Sequence, residues 1–332
     1  MSYLQGALAG KRVLVTGATG FIGGRIAQRL AAEETAVVTG TGRNLEKAAY
    51  LTESGVHLEQ ADLRDSKRLA SLLAGQDVVI HAAAWVGGGP PELPYELNVT
   101  ATSNLVKLAG EVCVGRFVLI SSMAAYGDPP RTGQVDETHP IDTSQQDPYS
   151  RTKALGEEAA QTAAQAAGVD LAIVRPTMVY GPRSGVWTVR MVERLRSGVP
   201  MVVGDGSGHA HPVYIDNLVD GLLLTAVHPQ AVGQAFTLGD PPITWRRFFQ
   251  YYADMLGCKV RHTPLWLARI IALGADWFGL NLPLNGRRLQ YNLSQAVYPI
   301  RKAEQMLGYK QRVDIDSGMA QTETWLRQEG YL

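Results

Sequence analysis

Gly17-Ala18-Thr19-Gly20-Phe21-Ile22-Gly23 follows directly on the apolar run Val13-Leu14-Val15-Thr16. The glycine spacing suits a strand-to-helix turn. The first glycine permits the tight bend, the second lets the backbone approach a pyrophosphate, and the third lets helix and strand pack closely. A helix beginning near Gly20 would turn its free N–H groups and its positive end towards the phosphates. A glycine-rich turn without a ligand has the same local composition, so the assignment depends on what stands elsewhere in the chain.

About a domain's length further on stands Asp147-Pro148-Tyr149-Ser150-Arg151-Thr152-Lys153. Asp147 as cap and Pro148 at the first helical position predict a helix start. Tyr149 and Lys153, four apart on that helix, share one face and can reach the same substrate atom. A surface Tyr/Lys pair is the plain alternative. Taken together, the two motifs point to a dinucleotide and a tyrosine acid/base.

At 332 residues the chain fits one large domain with a smaller one appended. The 31 basic and 31 acidic side chains cancel, which removes the global field of a nucleic-acid or acidic-membrane binder and favours a small ligand. Cys113 and Cys258 form no Cys-x-x-Cys pair, so neither a disulfide framework nor a zinc site is encoded, and the usage is that of a cytoplasmic protein. His209 and His211 lack a third ligand at sensible spacing, so no metal is expected. No secretory signal is visible at the start, and the apolar stretch 265–280, interrupted by Arg269 and Asp276, is too short for an integral membrane segment.

Apolar runs at 13–16, 36–39, 56–59, 77–81, 117–122 and 171–174 alternate with helix-like stretches at 25–32, 66–73, 98–109 and 149–167. That rhythm predicts an α/β fold, a doubly wound parallel sheet of Rossmann type covered on both faces. After Arg175-Pro176 it breaks, with a helix at 187–197, a short strand at 201–203 and a helix at 215–226. The expected division is a dinucleotide-binding domain over 1–180, with 205–240 returning to it. A smaller, mostly helical C-terminal substrate domain would take 181–204 and 241–332. It would cover the carboxyl ends of the strands, where such sheets bind ligands.

With these residues in hand, the chain resembles the extended short-chain dehydrogenase/reductases of the NAD-dependent epimerase/dehydratase family. Within them it is most similar to the 3β-hydroxysteroid dehydrogenase and dihydroflavonol reductase-like branch. The likeness runs over nearly all the chain. Besides the two motifs above it includes Asp62 in Ala-Asp-Leu-Arg-Asp, His81-Ala82-Ala83-Ala84, Asn98-Val99, and Ser121-Ser122-Met123-Ala124-Ala125-Tyr126-Gly127. Arg175-Pro176-Thr177-Met178-Val179-Tyr180-Gly181-Pro182 and Val213-Tyr214-Ile215-Asp216-Asn217 complete the set. The resemblance implies a bound nicotinamide cofactor and often a homodimer built from two helices per subunit. It also implies catalytic roles for Ser122, Tyr149 and Lys153, with Ser122 bonding the substrate oxygen as charge develops.

A tyrosine serves as acid/base only if its pKa of about 10 falls, and the Lys153 ammonium with an oxidised nicotinamide would lower it. Expected cofactor contacts are Gly17, Thr19, Gly20, Phe21, Ile22, Gly23, Arg43, Asp62, Leu63, Ala82, Ala83, Ala84, Asn98, Ser121, Tyr149, Lys153, Pro176, Thr177 and Met178. Asn98 at a helix start is either a cap or a contact near the nicotinamide ribose. Asp62 either bonds the adenine or caps the following helix. The second strand runs into Val38-Thr39-Gly40-Thr41-Gly42-Arg43-Asn44, with no carboxylate for a free ribose 2′-hydroxyl and with Arg43 for a 2′-phosphate, so NADP(H) is favoured over NAD(H).

Sugar-nucleotide members of the family place an Asn where this chain has Met178 and an Arg-Asp pair where it has Ala210-His211. A diphosphate would lose two partners, which favours a small hydrophobic substrate. Trp85, Met123, Tyr126, Val186, Trp187 and the apolar segment 264–284 are the candidates to line its pocket, although each alone could equally be core. The leading expectation is a hydride-transferring oxidoreductase of a hydrophobic secondary alcohol or ketone. The alternatives are an epimerase of a nucleotide- or lipid-linked sugar with tightly bound NAD, and a non-catalytic NAD(P)-binding regulatory protein.

Overall fold

The computed structural model describes residues 6–280 and 284–332. Seven strands form one parallel sheet: β1 (Arg12–Thr16), β2 (Val37–Gly42), β3 (His57–Gln60), β4 (Val78–His81), β5 (Arg116–Ile120), β6 (Leu171–Pro176) and β7 (Ala235–Leu238). Their order is β7-β6-β5-β4-β1-β2-β3. Both faces are apolar because both are covered, and alternate residues feed two separate cores. Val13, Val15, Ile80, Val118 and Val174 join one core, while Leu14, Val79, Phe117, Leu119 and Ile173 join the other.

The helices are α1 (Phe21–Ala32), α2 (Ser66–Leu73), α3 (Thr102–Glu111), α4 (Pro148–Ala167), α5 (Arg190–Arg196), α6 (Ile215–Val227), α7 (Trp245–Leu256), α8 (Leu265–Trp277), α9 (Gly286–Leu293), α10 (Arg301–Leu307) and α11 (Ile315–Gln328). Wound outward from β1 in both directions, the sheet reverses its strand order between β1 and β4, which opens a crevice at their carboxyl ends.

The expected rhythm and the observed elements differ in three places that bear on the site. The second strand runs to Gly42 rather than residue 39, so Arg43 stands at its very end. The stretch 98–109 is not one helix from Asn98. A π-helical turn, Glu96–Ala101, precedes α3. The seventh strand, Ala235–Leu238, pairs with β6 and lies where the sequence carries only four residues of strand character.

Beyond the sheet the C-terminal portion is mostly helical, stitched by two-residue ladders such as His209–Ala210 against Ile243–Thr244. It is fastened to the sheet through Asp240, which accepts bonds from the Tyr214 backbone N–H at 2.7 Å and the Asn217 side chain at 2.9 Å. Burial pushes the Asp240 carboxyl up to about 6. Asn217 also accepts from the backbone N–H groups of Arg312 and Val313, which ties the start of α6 to the segment entering α11.

A close helix contact involves Gly156 of α4. A Cβ there would lie 2.1 Å from the backbone oxygen of Asn98 in the π-helical turn. Since that neighbour is backbone, it has little freedom to yield, and Gly156→Ala should destabilise the protein by about 1–3 kcal/mol through overpacking. A denaturant titration checks this; an unchanged midpoint would contradict the contact.

Candidate active site

The glycine loop sits at the β1 end of the crevice with little room for any other residue. Gly17 has φ +72°, and a Cβ on it would lie 2.7 Å from the backbone of Ala83, in the segment that follows β4. A Cβ on Gly23 would lie 2.3 Å from the Gly17 oxygen. Gly20 is the N-cap of α1 and no side chain caps that helix, so its first N–H groups face the crevice for a ligand to meet. A Cβ on Gly42 would strike the Thr19 side chain, which places the glycine loop against the end of β2 beside Arg43.

Tyr149 and Lys153 descend from a helix that begins as the sequence predicts. Asp147 caps α4 by accepting from the Ser150 N–H at 2.9 Å, and Pro148 occupies the first turn. The Ser122 hydroxyl stands near enough to the Tyr149 phenol to lower its pKa. Ser122 is itself held by accepting from the Ala124 N–H at 3.1 Å, which caps the turn Met123–Tyr126. The three proposed catalytic side chains thus meet where α4 crosses the end of β5.

Their electrostatics differ from expectation. In the protein by itself, without the positive nicotinamide the expectation counts on, the Tyr149 phenol stands above its ordinary value: burial raises it, the Ser122 hydroxyl opposes, and Asp147 adds to the rise. Lys153 points its ammonium at the Ile120 carbonyl, 2.8 Å away, and burial brings it down to about 8 with Glu157 opposing. In this state the pair is a protonated phenol beside an ammonium that titrates near neutrality.

Beneath Lys153 lies a polar layer that the sequence reading passed over. Glu157, one turn further along α4, is buried and paired with Arg175 at the end of β6, with Arg175 Nε at 3.1 Å. The guanidinium also lies 4.7 Å from the Tyr126 ring centroid. His81 bridges Thr16 Oγ1 at 2.7 Å and Thr102 Oγ1 at 3.1 Å, and burial together with Lys153 brings its imidazole down to about 3, which keeps it neutral. The signal for Glu157 was its i+4 spacing from Lys153, which puts both on one helix face.

Asn98 is not a helix cap. It lies inside the π-helical turn, accepts from the Trp85 N–H at 2.7 Å, and donates to the Trp85 carbonyl at 3.2 Å and to Thr152 Oγ1 at 3.0 Å. It therefore clamps the segment after β4 to α4. Nor does Asp62 cap the following helix: Asp65 does, by accepting from the Arg68 N–H at 3.0 Å. Asp62 is instead engaged by Arg64 through its backbone N–H and both Nε and Nη2, which lowers its carboxyl to about 2.

The substrate candidates do not converge on one wall. Met123 and Tyr126 are buried in a small cluster with Val135, Ala296 and Tyr298. The Tyr126 hydroxyl is bonded to Thr237 at 2.7 Å, so that ring is core rather than lining. Trp187 packs on Trp245 and Phe248 within an aromatic cluster, and Val186 is exposed. In α8 the large apolar side chains Trp266, Ile270, Leu273 and Trp277 face solvent, and only Ala268, Ala272 and Ala275 are buried, so the helix does not line a pocket with its bulky residues. Residues 281–283 of the expected apolar segment lie outside the described residues. His209 and His211 both approach the Ala296 carbonyl, at 3.3 and 3.0 Å.

A nicotinamide dinucleotide fits this crevice on the chain's own groups. The loop leaves no space for a Cβ at Gly17 or Gly23, α1 has uncapped N–H groups, and the Ser121 and Thr177 hydroxyls at the ends of β5 and β6 are buried without partners. Fold and glycine loop together define an NAD-binding α/β protein of Rossmann type, with Ser122, Tyr149 and Lys153 gathered at the end of β5. The chain belongs to the NAD dependent epimerase/dehydratase family, whose model matches residues 13–239.

Among similar proteins, a 2-alkyl-3-oxoalkanoate reductase of Stenotrophomonas maltophilia is 27% identical over 93% of this chain and 97% of its own. A UDP-glucose 4-epimerase of Vibrio cholerae is 28% identical over 69% of this chain and 71% of its own. The structure of a UDP-glucuronic acid 4-epimerase of Bacillus cereus in complex with NAD superposes with a TM-score of 0.77 at 23% identity, covering 96% of this chain and 99% of that one. Members of this family bind a nicotinamide cofactor and are oxidoreductases or epimerases acting on small molecules.

Tyr149→Phe keeps the ring and its packing but removes the transferable proton. Turnover should fall by roughly two to four orders of magnitude, the scale of a lost general acid/base, with cofactor affinity nearly unchanged. Steady-state rates and cofactor titration check this; comparable turnover would remove Tyr149 from the chemistry.

Proposed function

We propose that the protein is an NADP(H)-dependent oxidoreductase of hydrophobic ketones and secondary alcohols. The observation that carries the reading is the placement of Ser122 near the Tyr149 phenol, with Lys153 four residues along the same helix and its ammonium held by the Ile120 carbonyl at 2.8 Å. The nicotinamide, when bound, supplies or accepts the hydride. The chain supplies the rest. In reduction, Ser122 and Tyr149 hold the carbonyl oxygen, and the protonated Tyr149 phenol donates its proton to that oxygen as negative charge builds. Lys153 stabilises the phenolate left behind, and the Ile120 carbonyl keeps its ammonium in place.

NADP(H) is supported by the charge at the end of β2. The strand ends at Gly42 with no carboxylate, Arg43 follows, and Arg43 lies close enough to Asp62 to help lower its carboxyl. Asp62 is hydrogen-bonded by Arg64 rather than by Arg43, which supports Arg43 as the partner of a 2′-phosphate.

The substrate class is supported by what the chain lacks. Met178 and Ala210 are both buried in the main core, and neither can donate to a diphosphate. The match to the oxoalkanoate reductase spans 93% of this chain and that to the Vibrio epimerase 69%.

One experiment tests both halves. Reduction of bulky hydrophobic ketones is followed with NADPH and with NADH, in the parent and in Arg43→Ala, alongside UDP- and dTDP-sugars. The parent should prefer NADPH, and Arg43→Ala should weaken NADPH alone by about 1–3 kcal/mol, the worth of a hydrogen bond to a charged group. Preference for NADH would overturn the cofactor assignment. Interconversion of a nucleotide sugar without net nicotinamide turnover would overturn the substrate class.

A further inference from the structure

We propose that helix α8 is a docking surface for the anionic face of a phospholipid bilayer. The helix is built inside out. Its buried residues are Ala268, Ala272 and Ala275, while Trp266 is 65% exposed, Ile270 59%, Leu273 71% and Trp277 85%. At about 100° per residue those four fall within an arc of roughly 60°, opposite the alanines. Phe278 and Leu280 continue the exposed surface, so half of the twelve exposed large apolar side chains among the described residues lie within 266–280. Folding alone gives no reason to bury the small residues and expose the large ones. A contiguous exposed stripe of this kind marks a surface that meets something apolar.

The charges around the stripe say what that is. The chain as a whole is neutral, yet residues 257–293 carry Lys259, Arg261, Arg269, Arg287 and Arg288 against Asp276, with Arg287 paired to Asp128 and Asp147 outside the segment. Arg269 lies on α8 itself, to one side of the stripe. Lys259 and Arg261 are exposed on the segment leading into α8, and Arg288 is exposed on α9, which packs against it. Tryptophans near both ends, aliphatic residues between them and cations at the flank are the pattern of a helix lying in the plane of a membrane interface. At about 20 Å long, α8 can lie along such a surface but not cross it, and no helix among the described residues is long and apolar enough to span a bilayer.

A second copy of this chain fits the same face less well. An isologous contact would set Lys259, Arg261 and Arg269 against their own copies, whereas acidic headgroups answer the charge directly. The surface also adjoins the catalytic helix. Asp276 holds the Gly286 N–H at 3.1 Å at the start of α9, and Arg287 of α9 is paired with Asp128 and donates to Ser150 Oγ at 3.3 Å. Docking would therefore bring the bilayer beside the Tyr149 end of the crevice. The proposal stands on α8 alone and does not depend on the substrate class.

Flotation with vesicles tests it. The full chain is mixed with phosphatidylcholine vesicles, with or without phosphatidylglycerol, and compared with the double variant Leu273→Glu/Trp277→Glu. Both positions are solvent-exposed, and an unchanged thermal midpoint verifies the fold. The parent should float with the phosphatidylglycerol vesicles and be released by high salt, and the variant should lose at least about tenfold in partitioning. The proposal is overturned if the parent stays behind with both vesicle types, if it binds neutral and anionic vesicles equally, or if the variant floats like the parent. It is likewise overturned if sedimentation shows a dimer that the variant dissociates while neither protein floats.

Discussion

The contact between the Lys153 ammonium and the Ile120 carbonyl fixes where everything else in the site can stand. It ties the first turns of α4 to the carboxyl end of β5, and Ser122 and Tyr149 meet only because that helix crosses that strand at that point. The contact is itself supported from below by the buried Glu157 and Arg175 pair, which joins α4 to the end of β6. Removing one partner of such a pair leaves an uncompensated charge, at a cost of about 3–5 kcal/mol, so the layer is structural before it is chemical. Gly156 completes the arrangement by letting α4 approach the π-helical turn to backbone contact.

Much of this was legible in the sequence, because local chemistry decides it. Asp147 and Pro148 start α4 wherever α4 packs, and Gly17, Gly20 and Gly23 specify a strand-to-helix turn irrespective of its surroundings. What escaped reading depends on long-range partners. The strand Ala235–Leu238 has only four residues to show, and its place is set by pairing with β6. Asn98 looks like a cap from its neighbours in sequence, yet its partners Trp85 and Thr152 lie 13 and 54 residues away. The state of Tyr149 escaped for the same reason. A lysine together with an oxidised nicotinamide argues for a lowered phenol; in the protein by itself burial, which spacing does not reveal, raises it.

The structure does not gather the pocket-lining candidates on one wall, for a related reason. Apolar residues in a loop or a short helix can face core, crevice or solvent, and composition does not say which. Tyr126 is drawn inward by Thr237 and Arg175, and Trp187 by the aromatic cluster around Trp245 and Phe248. In α8 the division is reversed from the usual one, with alanines inward. That places a large apolar surface on the outside of the described residues, next to the start of α9, which contacts α4.

The central claim is that a neutral Tyr149 phenol gives up its proton beside a Lys153 ammonium that titrates near neutrality. The most direct measurement is the pH dependence of ketone reduction at saturating cofactor. The ammonium is complete well below about 8 and is lost above it, while the raised phenol stays protonated throughout that range. The rate should therefore be level below pH 8 and fall by about tenfold per unit above it. A profile that stays level until the ordinary tyrosine value of about 10 would show that Lys153 plays no part in the proton step, and would contradict the account.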